Sequence, residues 1–212
     1  MIKKIFSYLI PVKIYETKSF LSKSIEITWA NGELVLDSEN TNYSYGSLQR
    51  ILRYGLKNIG YEKIVPMNHI LVLGVAGGSI IKTLVDEINY KGKITGVEID
   101  TKIIKIANTY FKLDEVKNLE IIIGDAFEFV LKTKTKYDLI IIDIFQDTTM
   151  PNFLFEPFFT SRICFLLKSH GFVLFNTIIL NETQNIRNKK YVSEFYENQF
   201  QISKIPPVEI QN

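Results

Sequence analysis

Four acidic residues stand at or just after apolar segments of the chain. The stretch "IIIDIFQD" (140–147) places Asp143 directly after an apolar run and Asp147 four residues later. Glu98 and Asp125 stand at the ends of two further apolar runs. A carboxylate fixed at the end of a buried strand can take a proton or accept hydrogen bonds from hydroxyl and amino groups. The pattern therefore predicts a polar ligand site built on strand ends.

A glycine-rich turn, "GVAGGS" (74–79), separates another apolar run from a predicted helix that begins at about Ser79. Glycine lets the backbone pass close to a ligand, and we expect the turn to do so through Gly74, Val75, Ala76 and Gly77. Tight packing between a strand and a helix would explain the glycines equally well. The dinucleotide fingerprint G-x-G-x-x-G would need glycine at 76 and 79, where this chain has Ala76 and Ser79, so a nicotinamide cofactor is disfavoured.

Glu98 stands about two dozen residues after Gly74 in the sequence. This is about the spacing at which nucleotide-binding folds place an acid that binds the ribose hydroxyls. Asp125 would then meet the exocyclic amine of a base, although its place before "AFEFVL" also suits a simple helix N-cap. Together with Asp143 and the glycine turn, these acids are typical of a pocket for an adenine nucleoside. An adenosyl sulfonium fits best, because it needs contacts to ribose and base and a negative environment for its cation.

Short apolar strands that alternate with amphipathic helices are predicted from residue 69 onward. The strands are expected at 69–74, 93–99, 119–124, 137–143 and 171–177. Strands that are apolar on both faces and joined by helices indicate a parallel sheet covered on both sides. The predicted fold class is α/β: a doubly wound, mostly parallel Rossmann-like sheet whose ligand site lies beyond the carboxyl ends of the strands. A further helix at 185–200 and a sixth strand at 201–207 are expected near the end of the chain.

The first 44 residues are predicted to form a small antiparallel unit. Alternating residues flank Asn31-Gly32, the pair that a two-residue type I′ turn prefers, so a β-hairpin is expected at 24–38. The stretch 1–12 is expected to supply the first strand. Residues 45–212, which open with a helix at 45–60, would form the nucleoside-binding domain.

The segments "LGVAGGS", "GVEID", "GDAFEF" and "YDLIIIDIFQD" resemble those of the spermidine synthase family in order and spacing. That family is built on the class I S-adenosylmethionine methyltransferase fold, and the resemblance runs from about residue 25 to 177. It implies an aminopropyl transferase whose donor is decarboxylated S-adenosylmethionine or S-adenosylmethionine. By this likeness Asp143 is the catalytic carboxylate. It implies that the donor is contacted by Glu98, Ile99, Asp125, Ala126 and Phe145. It implies that the amine acceptor is contacted by Tyr45 and Asp147.

Two departures from that family keep other functions open. The family has an Asp that holds the amine of the decarboxylated donor where this chain has Gly77, and its two acids after the fourth strand are three apart, whereas Asp143 and Asp147 are four apart. A methyltransferase acting on a small molecule is therefore the first alternative. A non-catalytic nucleoside-binding or assembly module is the second.

The composition favours an ordinary globular protein with a small-molecule substrate. Of the residues, 46% are hydrophobic and the formal net charge is +2, which gives no excess of basic residues for nucleic acid. No segment approaches the roughly 20 apolar residues that span a bilayer. One cysteine and two histidines cannot make up a typical metal site, and the lone Cys164 suits a reducing compartment, so we expect no metal and a cytoplasmic location. The N-terminal hairpin is expected to support a homodimer.

Overall fold

A computed structural model describes residues 2–38, 42–146, 149–195 and 200–205 of the chain. These residues form two sheets. The first is antiparallel, with four strands in sequential order, and the second is parallel, with five. No helix in the described ranges is long and apolar enough to cross a membrane.

The N-terminal sheet contains the predicted hairpin. Asn31 and Gly32 have positive φ angles of 50° and 77°, the backbone that a type I′ turn requires, and the flanking strands pair in continuous register. Leu36, Ile25 and Ile27 point inward from the two hairpin strands and are fully buried. The strands of this sheet are β1 (Val12–Thr17), β2 (Ile25–Ala30), β3 (Glu33–Ser38) and β4 (Asn42–Ser44).

The expectation of a strand at the very start of the chain is wrong for residues 2–10. A short helix, α1 (Ile2–Phe6), stands there, and the first strand begins only at Val12. Ser7 explains the difference, because its hydroxyl donates to the carbonyl of Lys4 and accepts from the backbone N–H of Gly32, 3.0 Å away. The hairpin turn thus holds the end of a helical turn, and this leaves Ser7 buried.

The parallel sheet has the predicted doubly wound topology, with strand order β7-β6-β5-β8-β9. The strand order reverses between β5 and β8, and this is where open α/β sheets bind their ligands. Its strands are β5 (His69–Leu73), β6 (Lys93–Glu98), β7 (Leu119–Ile123), β8 (Tyr137–Ile142) and β9 (Leu167–Phe175).

Helices cover both faces of this sheet. One face packs against α2 and α4, and the opposite face packs against α6 and α7. Alternate residues of the central strands point to the two faces, so that Val72 and Leu73 lie in different clusters and both are fully buried. The helices are α2 (Gly46–Ile59), α3 (Tyr61–Ile64), α4 (Ser79–Lys82, continued as a π-helical turn at Thr83–Glu87), α5 (Thr101–Phe111), α6 (Ala126–Lys132), α7 (Pro157–Leu166) and α8 (Glu182–Ser193).

The last part of the chain departs from the pattern-based expectation. Strand β9 begins four residues earlier than predicted, because Leu167 already pairs with Tyr137 before a register shift. The helix expected at 185–200 is present in part as α8, which begins three residues earlier and already ends at Ser193; residues 196–199 lie outside the described residues. Residues 201–205 of the expected sixth strand form no strand, and the rest of that segment lies outside the described residues.

Candidate active site

The carboxyl edge of the parallel sheet is held together one residue beyond its strands. The N–H of Asp143 donates to Leu73 O at 2.9 Å, and the N–H of Gly74 donates to Val97 O at 3.0 Å. Similar bonds run from Gly124 to Glu98 and from Asn176 to Ile142, which extends the ladder across all five strands. The residues that leave the strands are therefore fixed by the sheet, and side chains placed on such elements are more precisely positioned than those on free loops.

Gly74, the residue after β5, lies against the backbone of Asp143, the residue after β8. Its φ angle is +86°, and a Cβ atom added to it would overlap the carbonyl oxygen of Asp143. The left-handed backbone and the lack of space both require glycine here. The glycine turn and the strand that carries Asp143 are thus in direct backbone contact.

The Glu98 carboxylate binds the backbone of the glycine turn. Its Oε2 atom accepts hydrogen bonds from the N–H groups of Val75 and Ala76 at 3.1 and 3.0 Å, and its Oε1 atom accepts from Asp100 N at 2.9 Å. The residue is only 9% exposed. Burial raises the pKa of Glu98, and the three backbone hydrogen bonds partly offset that rise. One observed role of Glu98 is therefore to shape the turn, while contact with a ribose stays a prediction.

The N-terminal sheet closes over the far side of the glycine turn. A Cβ atom added to Gly77 would stand 2.8 Å from Ser44 Cβ and 3.1 Å from Leu36 Cδ2. The Ser44 hydroxyl also accepts a hydrogen bond from the N–H of Ser79, the first residue of α4. The space beside Gly77 is filled by protein, so the turn carries no acidic side chain on this side.

Tyr45 belongs to the same contact. Its hydroxyl donates to Gly77 O at 3.2 Å, and its ring stacks on Phe111 with the ring centroids 4.3 Å apart. Burial raises the pKa of Tyr45, so its phenol stays neutral. The φ angle of Tyr45 is +69°, which is unusual for a bulky residue and indicates a backbone held by its surroundings. The structure brings Tyr45 to the glycine turn, and its predicted contact with the acceptor stays a prediction.

Asp143 stands at the centre of the edge, and its side chain accepts a hydrogen bond. The side-chain amide of Asn176 donates to Asp143 Oδ1 at 2.9 Å. Burial raises the pKa of Asp143 to about 6, the negative charge of Glu98 adds to the rise, and the bond from Asn176 opposes it. A carboxyl group with this pKa is ionised at neutral pH and can accept a proton from an approaching amine.

Asn176 is the site residue that sequence reasoning missed. It follows the apolar run "GFVLF" directly, just as Asp143 follows "LIII", so the rule that singled out the acids would have found it if amides had been included. Its backbone N–H continues the ladder and its side chain reaches Asp143. Asn176 is therefore placed to orient the Asp143 carboxylate.

Replacing Asn176 is expected to raise the pKa of Asp143 above about 6. Asn176→Ala removes the one side-chain hydrogen bond that favours the ionised form of this carboxyl among the described residues. A 13C NMR titration of the Asp143 carboxyl carbon measures the change without any substrate. Asn118→Ala is the matched control, because it removes an amide bond to Gly92 O at the opposite edge of the sheet. An unchanged titration in Asn176→Ala would contradict the coupling.

Four of the remaining predicted site residues belong to the described part of the chain and lie near this edge. Asp125 is the N-cap of α6, and its Oδ1 atom accepts from the N–H groups of Phe127 and Glu128 at 2.7 and 3.1 Å. Ile99, just beyond Glu98, is 37% exposed. Ala126 and Phe145 are half-buried members of the apolar cluster on the α6 and α7 face. Asp147 lies outside the described residues.

A five-stranded parallel sheet with a glycine turn after its central strand and acids at the neighbouring strand ends defines a class I methyltransferase-like fold. The chain belongs to the spermine/spermidine synthase family, because the model of the spermine/spermidine synthase domain matches residues 49–206.

Curated relatives of this chain are aminopropyl transferases. A polyamine aminopropyltransferase of Vibrio vulnificus is 31% identical over 140 residues, covering 65% of this chain and 46% of the relative. A probable polyamine aminopropyl transferase of Bifidobacterium longum is 30% identical over 122 residues, covering 58% of this chain and 27% of the relative. The chain therefore spans half or less of the length of these relatives.

Solved structures share the fold. Spermidine synthase from Thermotoga maritima aligns with a TM-score of 0.65 at 21% identity, over 90% of this chain and 65% of that protein. Human methyltransferase-like protein 13, solved in complex with SAH, aligns with a TM-score of 0.58 at 20% identity, over 68% of this chain and 71% of that one. At these identities the likeness establishes the architecture only.

Proposed function

We propose that this chain transfers an aminopropyl group from an adenosyl sulfonium donor to an amine. The observation that carries the proposal is Asp143, a carboxylate of raised pKa fixed at the switch point of the sheet beside the glycine turn. The curated relatives named polyamine aminopropyltransferase support the reaction class. The proposed catalytic domain is 45–212, with 1–44 as a separate N-terminal unit.

The residues at the edge suit a nucleoside-bearing donor. We assign the ribose to Glu98, whose Oε1 atom retains acceptor capacity beyond its bond to Asp100, and the adenine amine to Asp125, whose Oδ2 atom is not used in capping. Ile99 and Ile123 are 37% and 48% exposed at the ends of β6 and β7, and they offer apolar contact to a base. Gly74, Val75, Ala76, Gly77, Ala126 and Phe145 complete the proposed donor site.

The reaction needs one proton acceptor. The donor supplies a carbon beside a positively charged sulfur, the lone pair of the amine forms the new C–N bond, and the C–S bond breaks to release the neutral thioether nucleoside. The attacking nitrogen must lose a proton. Asp143 is placed to accept this proton or to stabilise the ammonium form of the amine before the proton leaves. Since the sheet holds Asp143 in place, much of the acceleration would come from orientation of the two reactants.

A thermal-shift titration tests the donor site directly. Decarboxylated S-adenosylmethionine, S-adenosylmethionine and methylthioadenosine are added separately to the protein at increasing concentration. A ligand at about 100 times its dissociation constant stabilises the folded state by about 2.7 kcal/mol, which is readily seen as a rise in Tm. If none of the three raises Tm, the assignment of the pocket is wrong.

Methyl transfer is the second candidate, and the surroundings of Gly77 favour it. Ser44 and Leu36 fill the space beside this glycine, so no carboxylate of the turn can hold a donor amine from that side. This removes a reason to prefer the decarboxylated donor. Tighter binding of S-adenosylmethionine than of its decarboxylated form, measured by calorimetry, would favour methyl transfer over aminopropyl transfer.

A homodimer built on the N-terminal unit is also proposed. Around α1 a group of apolar side chains is 60–83% exposed, namely Ile2, Ile5, Phe6, Leu9 and Ile10. Exposed apolar groups of this kind are typical of protein interfaces. Light scattering is expected to show a dimer for the wild-type chain and a monomer for Leu9→Lys, whereas a monomeric wild type would contradict the proposal.

A cytoplasmic location is also proposed. The single cysteine, Cys164, is unpaired, and a protein without disulfides suits a reducing compartment.

A further inference from the structure

The segments that leave β8 and β9 begin with Asp143 and with its hydrogen-bond donor, Asn176. The backbone N–H of each residue continues the sheet ladder, to Leu73 O and to Ile142 O. The Asn176 amide then reaches Asp143 Oδ1 at 2.9 Å. The ladder fixes the chain on the N-terminal side of Asn176, so the direction of its side chain also depends on how the chain is held on the C-terminal side.

Thr177 holds the chain directly after Asn176. Neighbouring residues of an extended strand point to opposite faces of the sheet, and Phe175 packs on the face covered by α6 and α7. Asn176 therefore turns to the other face, and Thr177 returns to the face of Phe175. There the Thr177 hydroxyl accepts a hydrogen bond from Nδ2 of Asn188, a residue of α8, at 3.1 Å. The two neighbours are thus held on opposite faces, one by Asp143 and the other by α8.

Arg187 stands next to Asn188 on α8 and holds the residue that follows Thr177. Its Nη2 atom donates to Ile178 O at 3.3 Å, and its Nε atom donates to Asn188 Oδ1 at 3.2 Å. Its guanidinium carbon lies 3.8 Å from the ring centre of Phe155, which belongs to the segment that leaves β8. Arg187 and Asn188, which we call the α8 clamp, therefore contact both segments.

An aromatic cluster fixes α8, and with it the clamp, to the end of the sheet. Tyr191 of α8 is 7% exposed. Its ring centroid lies 5.7 Å from that of Phe155 and 5.1 Å from that of Phe175, the last residue of β9. Packing therefore sets the position of α8 relative to β9, and the clamp passes this position on to the segment that follows Asn176.

We propose that the α8 clamp is a positioning device: by holding the residues after Asn176 on one face of the sheet, it aims the Asn176 amide at Asp143 on the other face. Hydrogen bonds weaken steeply as their angle departs from linearity, so a small rotation of Asn176 is enough to weaken this one. The clamp touches neither Asp143 nor a ligand in this account, since its effect passes through the backbone. The inference goes beyond the proposed function, and only the meaning of Asp143 as a base rests on that function.

A purely structural role for the clamp makes a different prediction. Loss of the clamp would then lower the Tm and leave the pKa of Asp143 unchanged, because the other influences on that pKa are burial and the charge of Glu98. Replacing Arg187 would remove a charge as well as a contact. The uncharged partners Thr177 and Asn188 are therefore the residues to vary.

Three substitutions change the contact between Thr177 and Asn188. Thr177→Val removes the hydroxyl and nearly keeps the shape of the side chain, whereas Thr177→Ser keeps a hydroxyl. Asn188→Ala removes the donor. Asn185→Ala is its matched control, because the Asn185 amide bonds to Glu182 within α8 at 3.2 Å.

The test is a 13C NMR titration of the Asp143 carboxyl carbon, together with a Tm for each variant. Complete loss of a hydrogen bond to a charged group changes a pKa by about 1–2 pH units. A misaligned bond loses part of this, so the pKa of Asp143 should rise by about 0.3 of a pH unit or more in Thr177→Val and in Asn188→Ala. Thr177→Ser and Asn185→Ala should stay closer to the wild type.

A double variant shows whether the effect passes through Asn176. When Thr177→Val is added to Asn176→Ala, the pKa of Asp143 should change no further, because the amide that the clamp aims is already absent. A further rise in the double variant would overturn the inference. So would a rise smaller than about 0.3 of a pH unit in both Thr177→Val and Asn188→Ala.

The titration separates the clamp from the proposed function, because it uses neither donor nor amine. An unchanged pKa in Thr177→Val, with product still formed by the wild type, would refute the clamp alone. A raised pKa without any product would support the clamp and count against the proposed function. Should Asn188→Ala unfold, Thr177→Val decides the outcome, since it removes the same hydrogen bond with little change in volume.

Discussion

Asp143→Asn is expected to lower the turnover rate about 10²–10⁴-fold and, at the same time, to stabilise the folded protein at neutral pH. The loss of rate follows from removing the group proposed to take the proton of the amine. The gain in stability follows from removing a half-buried charge, because its partial removal from water raises the pKa of Asp143 from 3.8 to about 6. The replacement keeps an oxygen that can accept the bond from Asn176.

The sign and the size of the stability change follow from linkage. Between about pH 4 and pH 6 the folded protein binds more protons at Asp143 than the unfolded chain does, so the free energy of unfolding falls as pH rises through this window. The rise in pKa from 3.8 to about 6 corresponds to about 3 kcal/mol at neutral pH, at 1.36 kcal/mol per unit. Asp143→Asn should recover much of this free energy, and the free energy of unfolding of the variant should change less with pH between about pH 4 and pH 6.

Urea unfolding at pH 4, 6 and 8 measures the effect, and Asp138→Asn is its matched control on the same strand. Burial raises the pKa of Asp138, but the Lys168 ammonium at 2.8 Å and the N–H groups of His69 and Asn68 outweigh burial and hold that pKa below its usual value. Stability from Asp138 is present at neutral pH and lost in acid, so Asp138→Asn should destabilise. A destabilised Asp143→Asn protein at pH 8 would contradict the assigned environment of Asp143.

Gly74→Ala is expected to disrupt the carboxyl edge and to abolish donor binding. The alanine Cβ would overlap the Asp143 carbonyl oxygen, at a φ angle of +86° that disfavours any side chain. Backbone strain of about 1–2 kcal/mol and overpacking of about 1–3 kcal/mol together predict a loss of about 2–5 kcal/mol in stability. The two central strands would separate where the glycine turn and Asp143 meet.

The control for Gly74→Ala lies at the same edge. A Cβ atom added to Gly124 would meet nothing within 4 Å, and its φ angle is not positive. Gly124→Ala should therefore keep the wild-type Tm to within a few degrees and still bind methylthioadenosine. If Gly74→Ala kept both properties as well, the direct contact between the glycine turn and Asp143 would be refuted.

Much of the parallel sheet could be predicted because its strands are almost wholly apolar and are punctuated by helices. The predicted strands 69–74, 93–99, 119–124 and 137–143 match β5 to β8 within one residue at each end. Because the ends of these strands could be predicted, the sequence alone was enough to place Glu98, Asp125 and Asp143 at the same edge of the sheet. The start of the chain could not be predicted in the same way, since the helix there depends on Ser7 meeting a turn 25 residues away.

The candidate site was predictable in its positions but not in its contacts. Periodicity shows that Glu98 ends a strand, yet only the folded backbone shows that the Glu98 carboxylate turns toward Val75 and Ala76. The N-cap alternative for Asp125 is confirmed, because that role depends only on residues two and three positions ahead. The hydrogen bond between Asn176 and Asp143 joins residues that are 33 positions apart, and the periodicity of the sequence does not predict which distant residues pair.

Product analysis is the most direct test of the central claim that Asp143 promotes aminopropyl transfer at this edge. The protein is incubated with decarboxylated S-adenosylmethionine and a panel of amines, with and without a negatively charged group, and the products are identified by mass spectrometry. We predict release of methylthioadenosine together with an amine that has gained an aminopropyl group, and loss of both products in Asp143→Asn. The absence of both products with every amine, or their undiminished formation by Asp143→Asn, would contradict the account.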